Sequence, residues 1–248
     1  MNSNDPQSRR EQARAARKAR RHAAREAEIL NAASDLLIRY GYDKMTMDDL
    51  AEAAHVSKGA LYLHFESKQA LIDALIQREA ERTVADFAQR LSSVQRITLA
   101  ELFRSSTLAL AANPVMRALM NRDRRVLGDY LRRAAQLPIM QQYTSFSADL
   151  MRQFQDAGLV RRDMPPEVIA HLLLSLRYGL FVVQDFAPQH QPPPIEQVGE
   201  GLVKLLDTGF AAADEPRDET AHAAVDALLE YARRIMDALN RQGSGEEN

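Results

Sequence analysis

An all-α fold is the architecture this sequence predicts, and three observations predict it. Apolar residues recur at steps of three and four along most of the chain, the period of one helix face, and no stretch alternates as a half-buried strand does. Thr46, Ser57 and Ser67 each stand immediately before such a run, where a side-chain oxygen can accept from the free amides that open a helix. The ten glycines and ten prolines fall mainly between the periodic segments.

The first element is a basic arm. Residues 1–25 hold Arg9, Arg10, Arg14, Arg17, Lys18, Arg20, Arg21 and Arg25 against Asp5 and Glu11, a balance of +6 within a chain of net charge −2. Interspersed alanines favour helix, so the arm is expected to extend backwards the helix that follows, Glu26 to Tyr40. Four uses fit an Arg-rich N-terminus: a grip on DNA phosphates or the minor groove, a solvated tail, a targeting presequence, or a membrane-surface segment. The first is favoured because a DNA-reading pattern begins directly after the arm. No cleavage signal marks a presequence, and Met1 aside no bulky apolar residue appears before Ile29.

That pattern runs from Thr46 to Lys68, TMDDLAEAAHVSKGALYLHFESK. Thr46 caps a short helix whose Asp48 and Asp49 complement the helix dipole. Leu50, Ala51 and Ala54 supply its apolar face. Ser57 caps a second helix with Leu61 and Phe65 four apart on its inner side, and Ser67 caps a third. Two helices joined by a tight turn form the helix-turn-helix arrangement, which seats its second helix in a DNA major groove. Small helical bundles share such caps and turns, so the weight falls on the outward residues of the second helix. Lys58, Gly59, Ala60, Tyr62 and His64 combine a cation, two small residues and two long hydrogen-bonding side chains, a mixture no core requires. Lys68, opening the next helix, is placed to share a phosphate with exposed amides.

The segment from Ile29 to Leu75 resembles the DNA-binding domain of the TetR family of one-component transcriptional regulators. Ala32-Ala33, Leu36, Gly41-Tyr42, Thr46, Leu50-Ala51, Ala54, Val56-Ser57, Gly59, Leu61-Tyr62, His64-Phe65, Lys68 and Leu71 carry the resemblance. It covers about one fifth of the chain at motif level. Two positions depart from the family pattern: His55 stands where glycine is usual, and Met45 where a second hydroxyl is common. The resemblance implies an N-terminal three-helix domain joined by a long helix to a helical ligand-binding and dimerisation domain. It also implies that an effector bound there shifts the long helix and the spacing of two reading heads. The expected organisation is arm 1–25, DNA-binding domain 26–72, second domain 73–212, and a linker, extra helix and disordered tail over 213–248. The expected DNA contacts are Thr46, Ser57, Lys58, Gly59, Ala60, Tyr62, His64 and Lys68, with Arg17, Arg20 and Arg21 of the arm. Tyr62 and Lys68 are assigned to phosphate, and Lys58 with Gly59-Ala60 to base edges.

Beyond the motif, Leu71, Leu75, Ile76, Val84, Phe87 and Leu91 line one long connecting helix. Further helices are expected from Ile97 to Ala112, from Asn113-Pro114, and on either side of Pro138. Ile139, Tyr143, Phe146, Leu150 and Phe154 share a face that ends at Asp156-Ala157-Gly158. Val168 to Phe186 is apolar nearly all round, so it requires cover on more than one side; a helix central to one subunit or one shared with a symmetry mate would both satisfy that. Ile195, Val198, Leu202, Leu205, Leu206 and Phe210 form another stripe, and by resemblance these two segments make a four-helix homodimer interface. A palindromic operator on double-stranded DNA also asks for a dimer. Ala221, Val225, Leu228, Ala232, Ile235 and Leu239 predict an added amphipathic helix from Asp218 to Asn240, packed on its own subunit or its partner.

An effector pocket is expected among Phe103, Met116, Met120, Tyr130, Met140, Tyr143, Phe146, Met151, Phe154, Tyr178 and Phe181, with Arg177, His171 or Gln184 as polar anchors. Methionine and aromatic side chains suit a deformable site for a small, mostly apolar effector. The same residues serve equally as ordinary core. Six histidines (His22, His55, His64, His171, His190, His222) show no paired ligand spacing, so no metal or other cofactor is expected. Without GxSxG, HExxH, a P-loop or a dinucleotide fingerprint, an enzyme is not expected either. An all-helical enzyme and an interaction module without operator binding stand as the alternatives. Absence of cysteine excludes disulfides and suits a reducing cytoplasm. The Val168 to Val183 run, broken by His171 and Arg177, is expected to be too short and polar to span a membrane.

Overall fold

In a computed structural model of the chain, the described residues are 6–134, 148–186, 193–212 and Ala223, Val225, Asp226, Leu228 and Glu230. Helices follow one another almost without pause: α1 (Pro6–Tyr40), α2 (Met47–Ala53), α3 (Lys58–His64), α4 (Lys68–Ser92), α5 (Leu99–Ala112), α6 (Pro114–Met120), α7 (Arg124–Leu127) and α8 (Tyr130–Ala134). Helical residues 148–156 form α9; α10 (Pro166–Phe186) and α11 (Ile195–Phe210) come after it. The only extended pairing among the described residues is a lone antiparallel bridge between Val160 and Ala211. The basic arm continues α1 without a break. At about 1.5 Å per residue, its 35 residues reach roughly 52 Å.

Two hydrophobic cores share α4 as a spine. The first collects Ile29 and Leu37 of α1, Leu50, Leu61, and Leu71 and Leu75 of α4. Met45 joins them fully buried, which explains an apolar residue where the family has a hydroxyl. The second takes Phe87 and Leu91 from the far end of α4, Leu99 and Phe103 of α5, Phe154 of α9, Ile169 and Leu173 of α10, and Leu202 and Leu206 of α11.

Chain order does not sort residues between these cores. Val115, Leu119, Leu127 and Leu131 of α6–α8 return to complete the first core, and Tyr130 and Met116 pack with them. Both were expected to line a pocket with Phe103 and Met151, which belong to the second core. Tyr130 instead donates to Asp73 of α4 at 2.9 Å, and burial, then the Asp73 carboxylate, pushes its phenol pKa up. Two glycines permit this docking. Gly41 has φ +81°, and a Cβ there would sit 2.3 Å from the Arg125 carbonyl; at Gly128, φ +45°, one would sit 2.2 Å from the Asp43 carboxylate. Asp43 is thereby free to accept from the Asp129 amide at 3.0 Å, while the Tyr42 amide donates to the Val126 carbonyl at 2.8 Å.

A buried polar knot ties the same elements together. Glu79 of α4 accepts from Arg78 at 2.6 Å, Arg82 at 3.0 Å and Asn113 Nδ2 at 2.9 Å. Arg78 also donates to the Ala27 and Leu30 carbonyls and to Asn31 of α1. Asn113 caps α6 by accepting from the Met116 amide. One carboxylate thus joins α1, α4 and the α5–α6 corner.

The α10 segment corrects an expectation. A window from Pro166 to Val183 has mean hydropathy 1.4 and is long enough to cross a bilayer by length and composition. Its inner side nevertheless belongs to the second core through Ile169 and Leu173, and Arg177 within it donates to Ser106 of α5 at 2.7 Å. Outward, Val168, Leu172, Tyr178 and Val183 are exposed, as is Leu205 of α11 at 58%. Leu202, by contrast, faces its own core. In the C-terminal segment Val225 and Leu228 pack against the second core of their own chain; Ala221, Ala232, Ile235 and Leu239 lie outside the described residues.

Candidate nucleic-acid interface

The turn that presents α3 is closed at every end. Thr46 Oγ1 accepts from the Asp49 amide at 3.2 Å, and Asp49 Oδ2 accepts from the Thr46 amide at 2.9 Å, a reciprocal capping box. The Thr46 hydroxyl, then its amide, hold the Asp49 carboxyl below the usual range. At the other end of α2, the Val56 amide donates to the Ala51 carbonyl and the His55 amide to that of Glu52, with His55 at φ +53°. This is a Schellman ending with histidine in the left-handed position that glycine usually fills. Ser57 Oγ then accepts from the Ala60 amide at 3.1 Å, and Ser67 Oγ from the Ala70 amide at 3.1 Å.

Between those caps, Leu61 and Phe65 bury their side chains and turn the opposite face of α3 outward. Lys58, Gly59 and Tyr62 are exposed, and Ala60 and His64 half-buried. A Cβ at Gly59 would meet nothing within 4 Å, so no packing inside the chain requires glycine there. The backbone is left open to close approach from outside. Leu63 is 85% exposed beside Tyr62. Sequence reasoning missed it, because a leucine in a helix reads as core; its placement opposite Phe65 was the available signal.

The two lysines are not equivalent. Lys58 Nζ lies 2.8 Å from Asp48 Oδ1, bridging the starts of α3 and α2, and this hydrogen-bonded carboxylate raises the lysine pKa. Both groups are exposed, so the ion pair is readily exchanged. Lys68, expected at a phosphate, makes its contacts within the chain on the inner side. Its ammonium donates to the Tyr42 carbonyl at 2.8 Å and the Met45 carbonyl at 3.0 Å, and lies 4.3 Å from the Tyr42 ring centre. It fastens the α1–α2 connection beneath the interface.

Along α1, Arg14, Arg17, Lys18, Arg20 and Arg21 are exposed, and Arg17, Arg20 and Arg21 form no ion pair among the described residues. Arg25 is paired with Glu28 at 2.8 Å. His22 lies against His64, ring centres 4.1 Å apart, with its Nδ1 3.8 Å from Glu26. Two histidines that look scattered in the sequence are neighbours. Burial, then the neighbouring His22, holds the His64 pKa below its usual value, and its Nδ1 is buried without a hydrogen-bond partner among the described residues.

The expected effector residues divide. Phe103, Met151, Phe154 and Phe181 are buried in the second region, with the Arg177 guanidinium 4.8 Å from the Phe103 ring centre. Met120 is half-buried at the end of α6, while Tyr178 and His171 face outward. Met140, Tyr143, Phe146 and the Gln184 side chain lie outside the described residues.

Residues 29–75 match the family of bacterial regulatory proteins of the tetR type. Over 159 residues the chain is 33% identical to an HTH-type transcriptional repressor, Rv1474c, of Mycobacterium tuberculosis, covering 64% of this chain and 81% of that one. It is 29% identical over 157 residues to the transcriptional regulator UidR of Escherichia coli, covering 61% and 77%. The fold is similar to that of the fatty acid degradation regulator FadR from Bacillus halodurans. The TM-score is 0.57 at 17% identity, over 75% of this chain and 95% of that one.

Proposed function

The chain belongs to the TetR family of DNA-binding transcriptional regulators, and from that premise we propose that it is a cytoplasmic homodimeric repressor reading a palindromic operator with the outer face of α3. The observation that carries this reading is the pre-organised face itself. Caps at both ends fix α3, Gly59 leaves its backbone open, and Lys58, Tyr62 and Leu63 project from it without a role in the core. Tyr62 suits a phosphate; Lys58 and the Gly59-Ala60 pair suit base edges, and Leu63 suits a thymine methyl. Arg17, Arg20 and Arg21 on the extended α1 suit the flanking duplex.

Regulation follows from the shared spine. An effector that is small and mostly apolar, seated near Phe103, Met151 and Phe181 with Arg177 as its polar anchor, displaces α5 against α4. The Glu79 knot passes that displacement to α1, because Asn113 at the α5–α6 corner and Arg78 on α4 hold the same carboxylate. In a dimer joined through α10 and α11, a tilt of α4 changes the distance between two copies of α3. An effector favouring the mismatched spacing lowers operator occupancy by its differential affinity.

A gel shift with the DNA upstream of the gene tests the reading. Lys58→Ala combined with Tyr62→Phe is expected to abolish the shift while the circular-dichroism spectrum is unchanged. Removing residues 1–21 is expected to flatten the log-affinity against log-salt slope by about 0.9 for each phosphate that the arm no longer neutralises. Undiminished binding by the double variant overturns the assignment of α3.

A further inference from the structure

We propose that His22, Glu26 and His64 form a binding site for a divalent transition-metal ion of borderline softness, with Zn2+ as the reference ion, which staples the basic arm to the recognition helix. His22 and Glu26 are one turn apart on α1 and therefore share a face. That face meets the C-terminal end of α3, where His64 sits. Each residue offers one ligand atom, and the three atoms lie within 4.8 Å of one another.

Local hydrogen bonding does not account for the arrangement. His22 Nδ1 and Glu26 Oε2 are 3.8 Å apart, beyond a hydrogen bond, and His64 Nδ1 is buried without a partner among the described residues. The three ligand atoms are mutual neighbours, with the His22–Glu26 pair at ion-pair distance and no hydrogen bond joining them. Two imidazoles and a carboxylate suit Zn2+ and its borderline neighbours, whereas Mg2+ and Ca2+ require mostly oxygen. Ligand distances to Zn2+ of about 2.0–2.2 Å ask the donors to close by roughly 1 Å or more. Side-chain rotation supplies that closure, since His22 is exposed and Glu26 only half-buried. Three protein ligands leave a fourth position for water, so the ion binds reversibly rather than as a sealed structural centre.

The consequence is mechanical. At this point α1 meets the end of α3 through the His22–His64 ring contact; with the ion, residues 22 and 64 are cross-linked and the arm is held in one orientation beside the DNA-facing helix. The test uses the full chain, untagged and freed of metal by a chelator that is then removed. Zn2+ is titrated against a chromophoric chelator, and thermal unfolding is followed with and without the ion. Wild type is expected to bind with an unfolding midpoint that rises on addition of Zn2+. His22→Ala and Glu26→Gln are each expected to weaken binding by more than about tenfold, since losing a direct ligand costs more than losing a residue that orients one. Both substitutions fall on the exposed side of α1, so the fold is retained and the midpoint shift is lost selectively. His55→Asn, which keeps a residue tolerant of the left-handed turn, is the control and is expected to bind as wild type does. Absence of Zn2+ binding, or binding that neither His22→Ala nor Glu26→Gln weakens, overturns the proposal.

Discussion

Around the reading head every connection from Tyr40 to Lys68 is closed by a side-chain cap, a left-handed turn or the Lys68 ammonium, and Ile29, Leu37, Leu50 and Leu61 are sealed from water. The second region is finished differently. Leu172 and Val183 of α10 and Leu205 of α11 remain in water, and the Ser105 and Thr107 hydroxyls of α5 are buried with no hydrogen-bond partner among the described residues. Each such group carries a cost that ordinary packing avoids. The reading head leaves Tyr62 and Leu63 of its DNA-facing helix in water, whereas the apolar side chains that the second region leaves there lie on α10 and α11.

The comparison breaks most visibly at the knot between the regions. Glu79→Ala strips the acceptor from the largely buried Arg78 guanidinium and the buried Asn113 amide, with Arg82 at the exposed edge, and is expected to cost about 3 kcal/mol in chemical denaturation. If the loss is below about 1 kcal/mol, less than one ordinary buried hydrogen bond, the carboxylate does not join the regions. Next comes the outer face of the second region. Leu205→Glu, on a side chain already in water within one copy, is expected to leave folding intact but raise the dimer dissociation constant about 100-fold or more in sedimentation. Unaltered association would move the interface elsewhere.

Within the reading head, Lys68→Ala removes two charge-assisted hydrogen bonds to the Tyr42 and Met45 carbonyls and is expected to cost about 2 kcal/mol by thermal unfolding. A pure phosphate ligand would lower DNA affinity and leave the unfolding midpoint in place. The smallest effect concerns pH. Asp49 titrates below its ordinary value because Thr46 donates to it. Its stabilising contribution is complete above the unfolded value of about 4 and is lost as pH falls through the lower folded value. Denaturation midpoints followed from about pH 5 to about pH 2.5 should fall less steeply in Asp49→Asn than in wild type.

Legibility in the sequence follows the same division. Thr46, Ser57 and Ser67 act on amides three residues away, so their caps are readable from spacing alone. The left-handed turn at His55 follows from its place between two such helices. Assignments that depend on distant chain are not readable. Met116 and Tyr130 have the composition of a pocket, yet Gly41 and Gly128 let α6–α8 dock on the first core. The charge of Lys68 suggests a phosphate, whereas its direction depends on carbonyls 23 and 26 residues away. Leu202 and Leu205 lie on one stripe, but only packing decides which of them faces the core. His22 and His64 meet because α1 runs past the end of α3, a crossing that no local period encodes.

The return of α6–α8 to the first core also sets the rules for taking this protein apart. A fragment ending with α4 would carry the DNA-reading helix but lack Val115, Leu119, Leu127 and Leu131, leaving a hydrophobic trench along α1 and α4. The smallest transferable reading module therefore extends from the arm through residue 131, although its DNA-facing residues end near Lys68. A chimera that exchanges sensing domains between relatives at the first long helix would pair the α1–α4 surface of one parent with the α6–α8 surface of another. Such a hybrid inherits a mismatched core before it inherits a new signal, so a working junction must be cut after α8.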